Sequence, residues 1–453
     1  MARLFGTDGV RGLANKDVTA QLAVDLGVAA AHVLAERGEF AGHRPRAVLG
    51  RDTRVSGQML SAAVAAGLAS AGVDVLDAGV IPTPGVAYLT ASLDADLGVV
   101  ISASHNAMPD NGIKFFARGG LKLPDAVEEA IEERLHHTWE LPTGAAVGSI
   151  SPRPDLAQGY VEHLADAVAD FASREAPLAG VKIVVDGAHG AASHIGPEAL
   201  RAAGAEVVAI HCEPDGLNIN DGVGSTHVEA LQAAVPAHGA HLGVAYDGDA
   251  DRCLAIDADG TVVDGDQIMG MLALTMKRIG VLYRHTLVAT VMSNLGLHQS
   301  MRAAGIDIIE SSVGDRYVLE AMREGGYSLG GEQSGHVIVS RYATTGDGIL
   351  TSMLVASLVA SQGPLADLAA DVKRLPQVLC SVPHVDRARV HTDGVLQAAV
   401  EAARAELGEG GRVLLRASGT EPLVRVMVEA PTDESAQRHA QALAEVVAAR
   451  LAL

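Results

Sequence analysis

Short, wholly apolar runs alternating with longer alanine-rich segments of helical period fill most of this chain, and few folds accommodate that alternation. Ala47 to Gly50, Val73 to Leu76 and Leu97 to Ile101 have the character of buried strands, and helices are predicted over Thr19 to Arg37 and Gly57 to Ala71. A second block runs from Lys182-Ile183-Val184-Val185-Asp186-Gly187 through a helix to Glu206-Val207-Val208-Ala209-Ile210, and ends at Leu242-Gly243-Val244-Ala245-Tyr246. A third has a strand at Leu287 to Thr290, a helix around Leu295 to Ala304, a strand at Ile306 to Ile309 and a helix at Asp315 to Glu324. Repeated βα units of this kind predict helices layered on sheets, the α/β class. After Gly363-Pro364 the pattern changes to strands at Val378 to Val382, Val413 to Arg416 and Val424 to Glu429, with helices at Gly394 to Leu407 and from Thr432 onward. That order predicts a smaller α+β domain with an antiparallel sheet.

At 453 residues the chain is long enough for three or four domains, given roughly 100 to 200 residues in each. Hydrophobic residues make up 48% and aromatic ones only 3%, so the core must be built from Ala, Val, Leu and Ile. A formal net charge of −21 argues against the basic face that nucleic acid or an anionic membrane would require. Cys212, Cys253 and Cys380 are too few and too scattered for a disulfide framework or a thiolate zinc cluster. A reducing, cytoplasmic setting is therefore expected. The N-terminus turns polar at once, and the charge-free stretches Val55 to Val73 and Gly348 to Ala366 are interrupted by Ser, Gln, Thr and Pro. A membrane span needs about 20 mostly apolar residues, so both stretches are expected to be buried helices.

Two loops carry the residues most suited to chemistry. Gly98-Val99-Val100-Ile101 leads into Ser102-Ala103-Ser104-His105-Asn106, which places this polar loop at a strand's C-terminal end, where open α/β sheets bind ligands. Ser104 is most simply a turn residue. As a phosphoryl carrier, however, it needs no activating base, since a phosphoserine donates its group rather than attacking an ester. His105, its immediate neighbour, is too close along the chain to serve easily as that base. Lys114 is either a solvated lysine or a proton carrier whose pKa neighbouring cations depress. In the second loop, Asp247, Asp249 and Asp251 alternate around Gly248 and can converge on a hard cation such as Mg²⁺. The EF-hand pattern fails because its glycine and glutamate positions are Arg252 and Ala258; an acidic surface turn remains the plain alternative.

Two further segments are open to more than one use. Arg416-Ala417-Ser418-Gly419-Thr420-Glu421, with Arg425, offers hydroxyls, a glycine and two guanidinium groups, either a phosphate cradle or an ordinary glycine hairpin. Gly330-Gly331-Glu332-Gln333-Ser334-Gly335-His336 suits sugar hydroxyls, or is a flexible surface loop. No Walker motif and no dinucleotide fingerprint is present, which disfavours a nucleotide-driven kinase.

Taken in order, Thr7 to Gly12, Gly50 to Arg54, Ser102 to Asn106, Asp247 to Arg252, Gly331 to His336 and Arg416 to Pro422 resemble the motifs of the α-D-phosphohexomutases. The resemblance implies three related mixed α/β sandwich domains plus a C-terminal α+β domain around a central cleft, with limits at 1–153, 154–256, 257–368 and 369–453. It implies that Ser104 carries the phosphoryl group, that Asp247, Asp249 and Asp251 bind Mg²⁺ together with an oxygen on Ser104, and that Lys114 is the acid/base. Arg11, Arg51 and Arg252 would surround the reacting group, with His105 beside them. Glu332, Ser334 and His336 would hold the sugar, while Arg416, Ser418, Gly419, Thr420 and Arg425 hold the other phosphate.

The implied activity is an isomerase-class exchange between glucosamine 6-phosphate and glucosamine 1-phosphate through a 1,6-bisphosphate, supplying UDP-N-acetylglucosamine for cell-wall synthesis. The alternative is a phosphoglucomutase or phosphomannomutase activity of the same superfamily; Gln333 and the segment Ser312 to Tyr317 resemble the amino-sugar branch. Expected partners are small sugar phosphates, a hexose 1,6-bisphosphate as activator and an activating kinase, with the chain a monomer or homodimer. Ala107 stands where the family usually has Pro, which leaves the serine loop without that stiffening.

Overall fold

The computed structural model describes residues 4–6, 8–417 and 422–453. They fall into two compact units, Met1–Val291 with Ile306–Ala370, and Met292–Gly305 with Asp371–Leu453.

In the first unit three sheets follow one plan. The largest runs in the order Val10–Leu13, Asp110–Ala117, Leu97–Ile101, Arg46–Arg51, Asp74–Val80, Ile150–Pro152, with Leu121–Lys122 paired on Asp110–Ala117. The second runs Val262–Val263, Cys253–Asp257, Leu242–Tyr246, Lys182–Asp186, Glu206–Ile210, and the third Asp307–Ser311, Thr286–Thr290, Leu329–Gly331, Val337–Val339. Each contains parallel strands joined through helices, as the apolar alternation predicts, but each also ends a parallel strand in a loop that doubles back as an antiparallel partner. Leu97–Ile101 turns into Asp110–Ala117, Leu242–Tyr246 into Cys253–Asp257, and Leu329–Gly331 into Val337–Val339. The three returning loops contain Ser104, the aspartate trio and Glu332 to His336. One topological device thus presents all three.

The returning strand Asp110–Ala117 escapes sequence inspection because Asp110, Asn111, Gly112 and Lys114 break any apolar pattern. Pairing on both sides, with Val10–Leu13 and Leu97–Ile101, holds it in place. The second sheet extends to Val263, beyond the expected limit at 256, because Val262–Val263 pairs with the returning strand.

Helices Ala20–Glu36 and Val55–Ser70 cover the first sheet. Thr19 caps the former by accepting from the Leu22 amide. The two helices approach closely at Gly27, where a Cβ would stand 2.8 Å from the Val64 carbonyl oxygen. The charge-free segment near residue 350 forms helix Gly348–Gln362, buried from Gly348 through Leu358. Burial on all sides explains its lack of charge. No helix among the described residues is long and apolar enough to cross a membrane.

Asp347 caps that helix, accepting from the Leu350 amide at 2.9 Å and the Tyr160 hydroxyl at 2.8 Å. Burial outweighs these bonds and pushes its carboxyl up to about 6 from 3.8. Because the folded state binds this proton more tightly, stability is greatest below pH 3.8 for this group and is lost as pH rises through 6. The loss is on the order of 3 kcal/mol. Asp347→Asn keeps an acceptor for Leu350 without the charge. Its melting temperature is expected to gain on the parent between pH 4 and 6 and to hold that gain at higher pH; a pH-independent difference would show that Asp347 titrates normally.

The second unit is an antiparallel sheet, Gln377–Pro383, Leu423–Glu429, Arg412–Ala417, with helices Gly394–Leu407 and Asp433–Leu451. Val382, Leu396, Val413, Val424, Val426, Leu443 and Val447 form its core. Helix Leu295–Ala303 joins the parallel strands Thr286–Thr290 and Asp307–Ser311, as expected for the third α/β block, and its contacts group it with this unit. Buried Glu429 accounts for that grouping: its Oε2 accepts from the Leu295 amide at 3.1 Å and from Arg412 Nε at 3.0 Å, while Arg412 Nη2 donates to the Ser293 carbonyl.

Candidate active site

Ser104 takes a left-handed backbone conformation, φ 52°, and is fully buried. Its Oγ donates to Asp247 Oδ2 at 2.7 Å and lies 3.3 Å from His105 Nδ1. Proximity along the chain argued against that second contact, but the left-handed turn lets the neighbouring imidazole reach the hydroxyl. Burial, then the Arg252 and Arg11 guanidinium groups, push the His105 pKa down. Arg252 Nη1, which can only donate, stands 3.1 Å from His105 Nδ1, so this nitrogen carries the lone pair. The serine and aspartate loops touch backbone to backbone: a Cβ on Gly248 would lie 2.6 Å from the Ser104 carbonyl oxygen.

Asp247, Asp249 and Asp251 are all buried, and one ligand oxygen from each lies within 4.8 Å of the others. Each has a different protein partner. Asp247 accepts from Ser104; Asp249 Oδ2 accepts from Thr83 Oγ1 at 2.6 Å and from Lys114 Nζ at 3.0 Å; Asp251 Oδ2 lies 3.5 Å from His336 Nδ1. Asp249 Oδ1 and Asp251 Oδ1 are buried with no hydrogen-bond partner among the described residues. Leaving carboxylate oxygens dry and unpaired is costly. Burial, together with the Asp251 and Asp249 charges, drives the Asp247 carboxyl well above its usual range. A hard divalent cation with oxygen ligands relieves both penalties, so the donor set fits Mg²⁺.

His336, expected on the sugar, is buried instead. The Gly346 amide donates to its Nε2 at 3.1 Å, which leaves the ring proton on Nδ1 facing Asp251. Burial opposes a charge on the ring and the facing Asp251 favours one, and the Gly346 donor at Nε2 selects the neutral tautomer. In this state the ring orients a carboxylate. Glu332 is half-buried and accepts from the Gly314 amide at 2.9 Å, and Ser334 is exposed.

Lys114 corrects a second expectation. Carboxylates face it rather than cations: its Nζ is 2.7 Å from Asp8 and 3.0 Å from Asp249. Although burial would lower its pKa, these neighbours raise it, and Lys114 is held as an ammonium. Asp8, which sequence inspection passed over, also pairs with Arg11 and stands 3.6 Å from Lys122. Arg51 is paired with Asp77 at 3.4 Å, and Arg252 Nε is 3.8 Å from Asp251. Thr83 was missed because nothing local marks it; only pairing with an aspartate 166 positions away reveals it.

In the second unit Arg416 and Arg425 are direct cross-strand partners. With Met292, Leu379, Leu414 and Met427 they line a cavity of about 130 Å³. Like charges directly opposed on a sheet destabilise it, so this pair is suited to a bound anion. Ser418, Gly419 and Thr420 lie outside the described residues, as does Thr7.

Comparison with known proteins identifies the family. Models of phosphoglucomutase/phosphomannomutase α/β/α domains I, II and III match residues 2–141, 158–260 and 264–375, and the C-terminal domain model matches 379–446. The phosphoglucosamine mutase of Acidothermus cellulolyticus is 63% identical over 450 residues, covering 99% of this chain and 96% of its own. That of Nocardioides sp. is 63% identical over 454 residues, with both chains covered completely. Among solved structures, a phosphoglucomutase/phosphomannomutase family protein of Burkholderia thailandensis superposes with a TM-score of 0.80 at 25% identity, over 99% of this chain and 97% of that one. The Aspergillus fumigatus N-acetylphosphoglucosamine mutase, in complex with GlcNAc-6P and magnesium, shares the fold with a TM-score of 0.71 at 18% identity, over 98% of this chain and 95% of that one. This chain belongs to the phosphohexomutase superfamily and, within it, to the phosphoglucosamine mutases.

Proposed function

We propose that this enzyme interconverts glucosamine 6-phosphate and glucosamine 1-phosphate, with Ser104 Oγ carrying the phosphoryl group. The observation that carries this is the buried Ser104 hydroxyl donating to Asp247 inside a trio of buried carboxylates contributed by another sheet. Burial also favours transfer to a sugar over hydrolysis, because water is kept from the serine.

In the forward direction the O1 hydroxyl of the sugar bonds to phosphorus as the bond from phosphorus to Ser104 Oγ breaks. The resulting 1,6-bisphosphate then returns its other phosphoryl group, as Ser104 Oγ bonds to phosphorus and the bond to O6 breaks. Mg²⁺ held by Asp247, Asp249 and Asp251, with an oxygen on Ser104, would supply charge neutralisation at the transferring phosphoryl oxygens. Arg11, Arg51 and Arg252 bind and orient that group. In each step one hydroxyl loses a proton and another gains one. We assign the donating part to Lys114, which is held as an ammonium, and the accepting part on the serine side to the neutral His105 Nδ1. Glu332 and Ser334 contact the sugar, His336 orients Asp251, and Arg416 and Arg425, with Ser418, Gly419 and Thr420, hold the phosphate that is not reacting.

Treating the purified enzyme with glucosamine 1,6-bisphosphate and mapping its peptides by mass is expected to find one phosphate, on the peptide containing Ser104. Turnover should favour glucosamine phosphate over glucose and mannose phosphates by about tenfold or more in kcat/KM. Release of inorganic phosphate at the rate of isomerisation would make the enzyme a phosphatase instead.

A further inference from the structure

We propose that Arg54, assisted by Asn220, is a positioning residue that holds the Ser104 loop in its reacting shape; the inference rests on Ser104 being the phosphoryl carrier. Arg54 is a charged side chain only 1% exposed, a placement that arginine adopts only when its donors are met. Its Nε donates to Asp52 Oδ2 at 2.9 Å, Nη1 to the Ala107 carbonyl at 2.6 Å, and Nη2 to the carbonyls of Ser104 at 2.9 Å and Asn106 at 2.8 Å. Asp52 Oδ2 also accepts from Ser102 Oγ at 2.6 Å, and Ser102 Oγ accepts from the Ser104 amide at 2.9 Å. The peptide groups on both sides of the Ser104 Cα are therefore anchored to one carboxylate, one through Ser102 and the other through Arg54.

Such a ring fixes φ and ψ at the residue it encloses. Serine does not hold a left-handed conformation unaided, and Ala107 supplies no ring constraint of its own. Asn220 reinforces the clamp from the second sheet's loops: its Nδ2 donates to the Ser104 carbonyl at 2.8 Å and the Asn106 carbonyl at 3.0 Å. Among the described residues Arg54 makes no hydrogen bond to Asp247, Asp249 or Asp251, so its effect reaches the chemistry only through the serine. Lysine cannot replace the planar fork, because one ammonium cannot meet three carbonyls and a carboxylate in that geometry.

Two variants test the clamp. Arg54→Lys removes the fork, and Asn220→Gly removes the amide at a position whose φ of 58° glycine accepts freely. In each, KM for the sugar phosphate should stay within about threefold while kcat falls by about 10²-fold, the usual cost of a misplacement near 1 Å. Phosphorylation of Ser104 by the bisphosphate should slow in parallel. The double variant should lose less than the product of the single losses, because both side chains hold the same carbonyls. If Arg54→Lys does not fold, Asn220→Gly decides alone. A folded Asn220→Gly enzyme with unchanged kcat, or one that loses only KM, would overturn the inference and leave Ser104 as the carrier. Wild-type enzyme that never acquires phosphate on Ser104 would instead overturn the reading beneath it.

Discussion

Ser104→Ala is expected to yield a folded enzyme whose mutase turnover is lower by on the order of 10⁴-fold or more, the scale reached when a covalent carrier is lost. Alanine fits the site sterically, since the serine is fully buried and alanine is smaller. The loss removes the bond to Asp247 Oδ2, a stability cost of about 1 to 3 kcal/mol. No other hydroxyl among the described residues is placed to substitute: Thr83 Oγ1 is committed to Asp249 and Ser102 Oγ to Asp52. Binding should survive, so a titration of sugar phosphate against the variant should give an affinity within a few fold of the parent. Turnover within tenfold of wild type would mean that the phosphoryl group reaches the sugar without passing through this serine.

Asp249→Ala should be almost as damaging, lowering kcat by about 10²- to 10³-fold, as expected on losing a preorganised electrostatic group. The carboxylate has two tasks. Its Oδ1 is one of the unpaired buried oxygens suited to a cation, and its Oδ2 is bonded to Thr83 and Lys114. Removing it leaves two of three acidic ligands and frees Lys114 from one of its two ion pairs. A readout independent of turnover is the rise in melting temperature on adding Mg²⁺, which follows the ratio of free ion to its dissociation constant. Wild type should show a clear rise and Asp249→Ala little of it. Equal Mg²⁺ stabilisation in both proteins would remove Asp249 from the ligand set.

Most of the fold was legible locally. Helix Gly394–Leu407 matches its expected limits residue for residue, and the strands Leu97–Ile101, Glu206–Ile210 and Leu242–Tyr246 likewise, because continuous apolar runs and helical periods report burial directly. The returning strand Asp110–Ala117 was not, since its polar residues are satisfied by neighbours far away: Lys114 by Asp8 and Asp249, and Asn111 by Ser56. Ser104 and the aspartates stood out by composition, and Asp8 and Arg54 lay inside recognisable motifs without a role of their own, whereas Thr83 and Asn220 had no local mark.

Composition and order along the chain thus determined which residues could do chemistry and which segments would be strand or helix, because both depend on side chains within a few positions of one another. Only the tertiary structure decided what those residues are for. It set the charge state of Lys114, turned His336 toward Asp251 and closed the hydrogen-bonded ring around Ser104, since each depends on groups brought together from distant parts of the chain by the packing of separate sheets. Electrostatic and hydrogen-bonding environments are properties of space, and no spacing along the polymer encodes them singly.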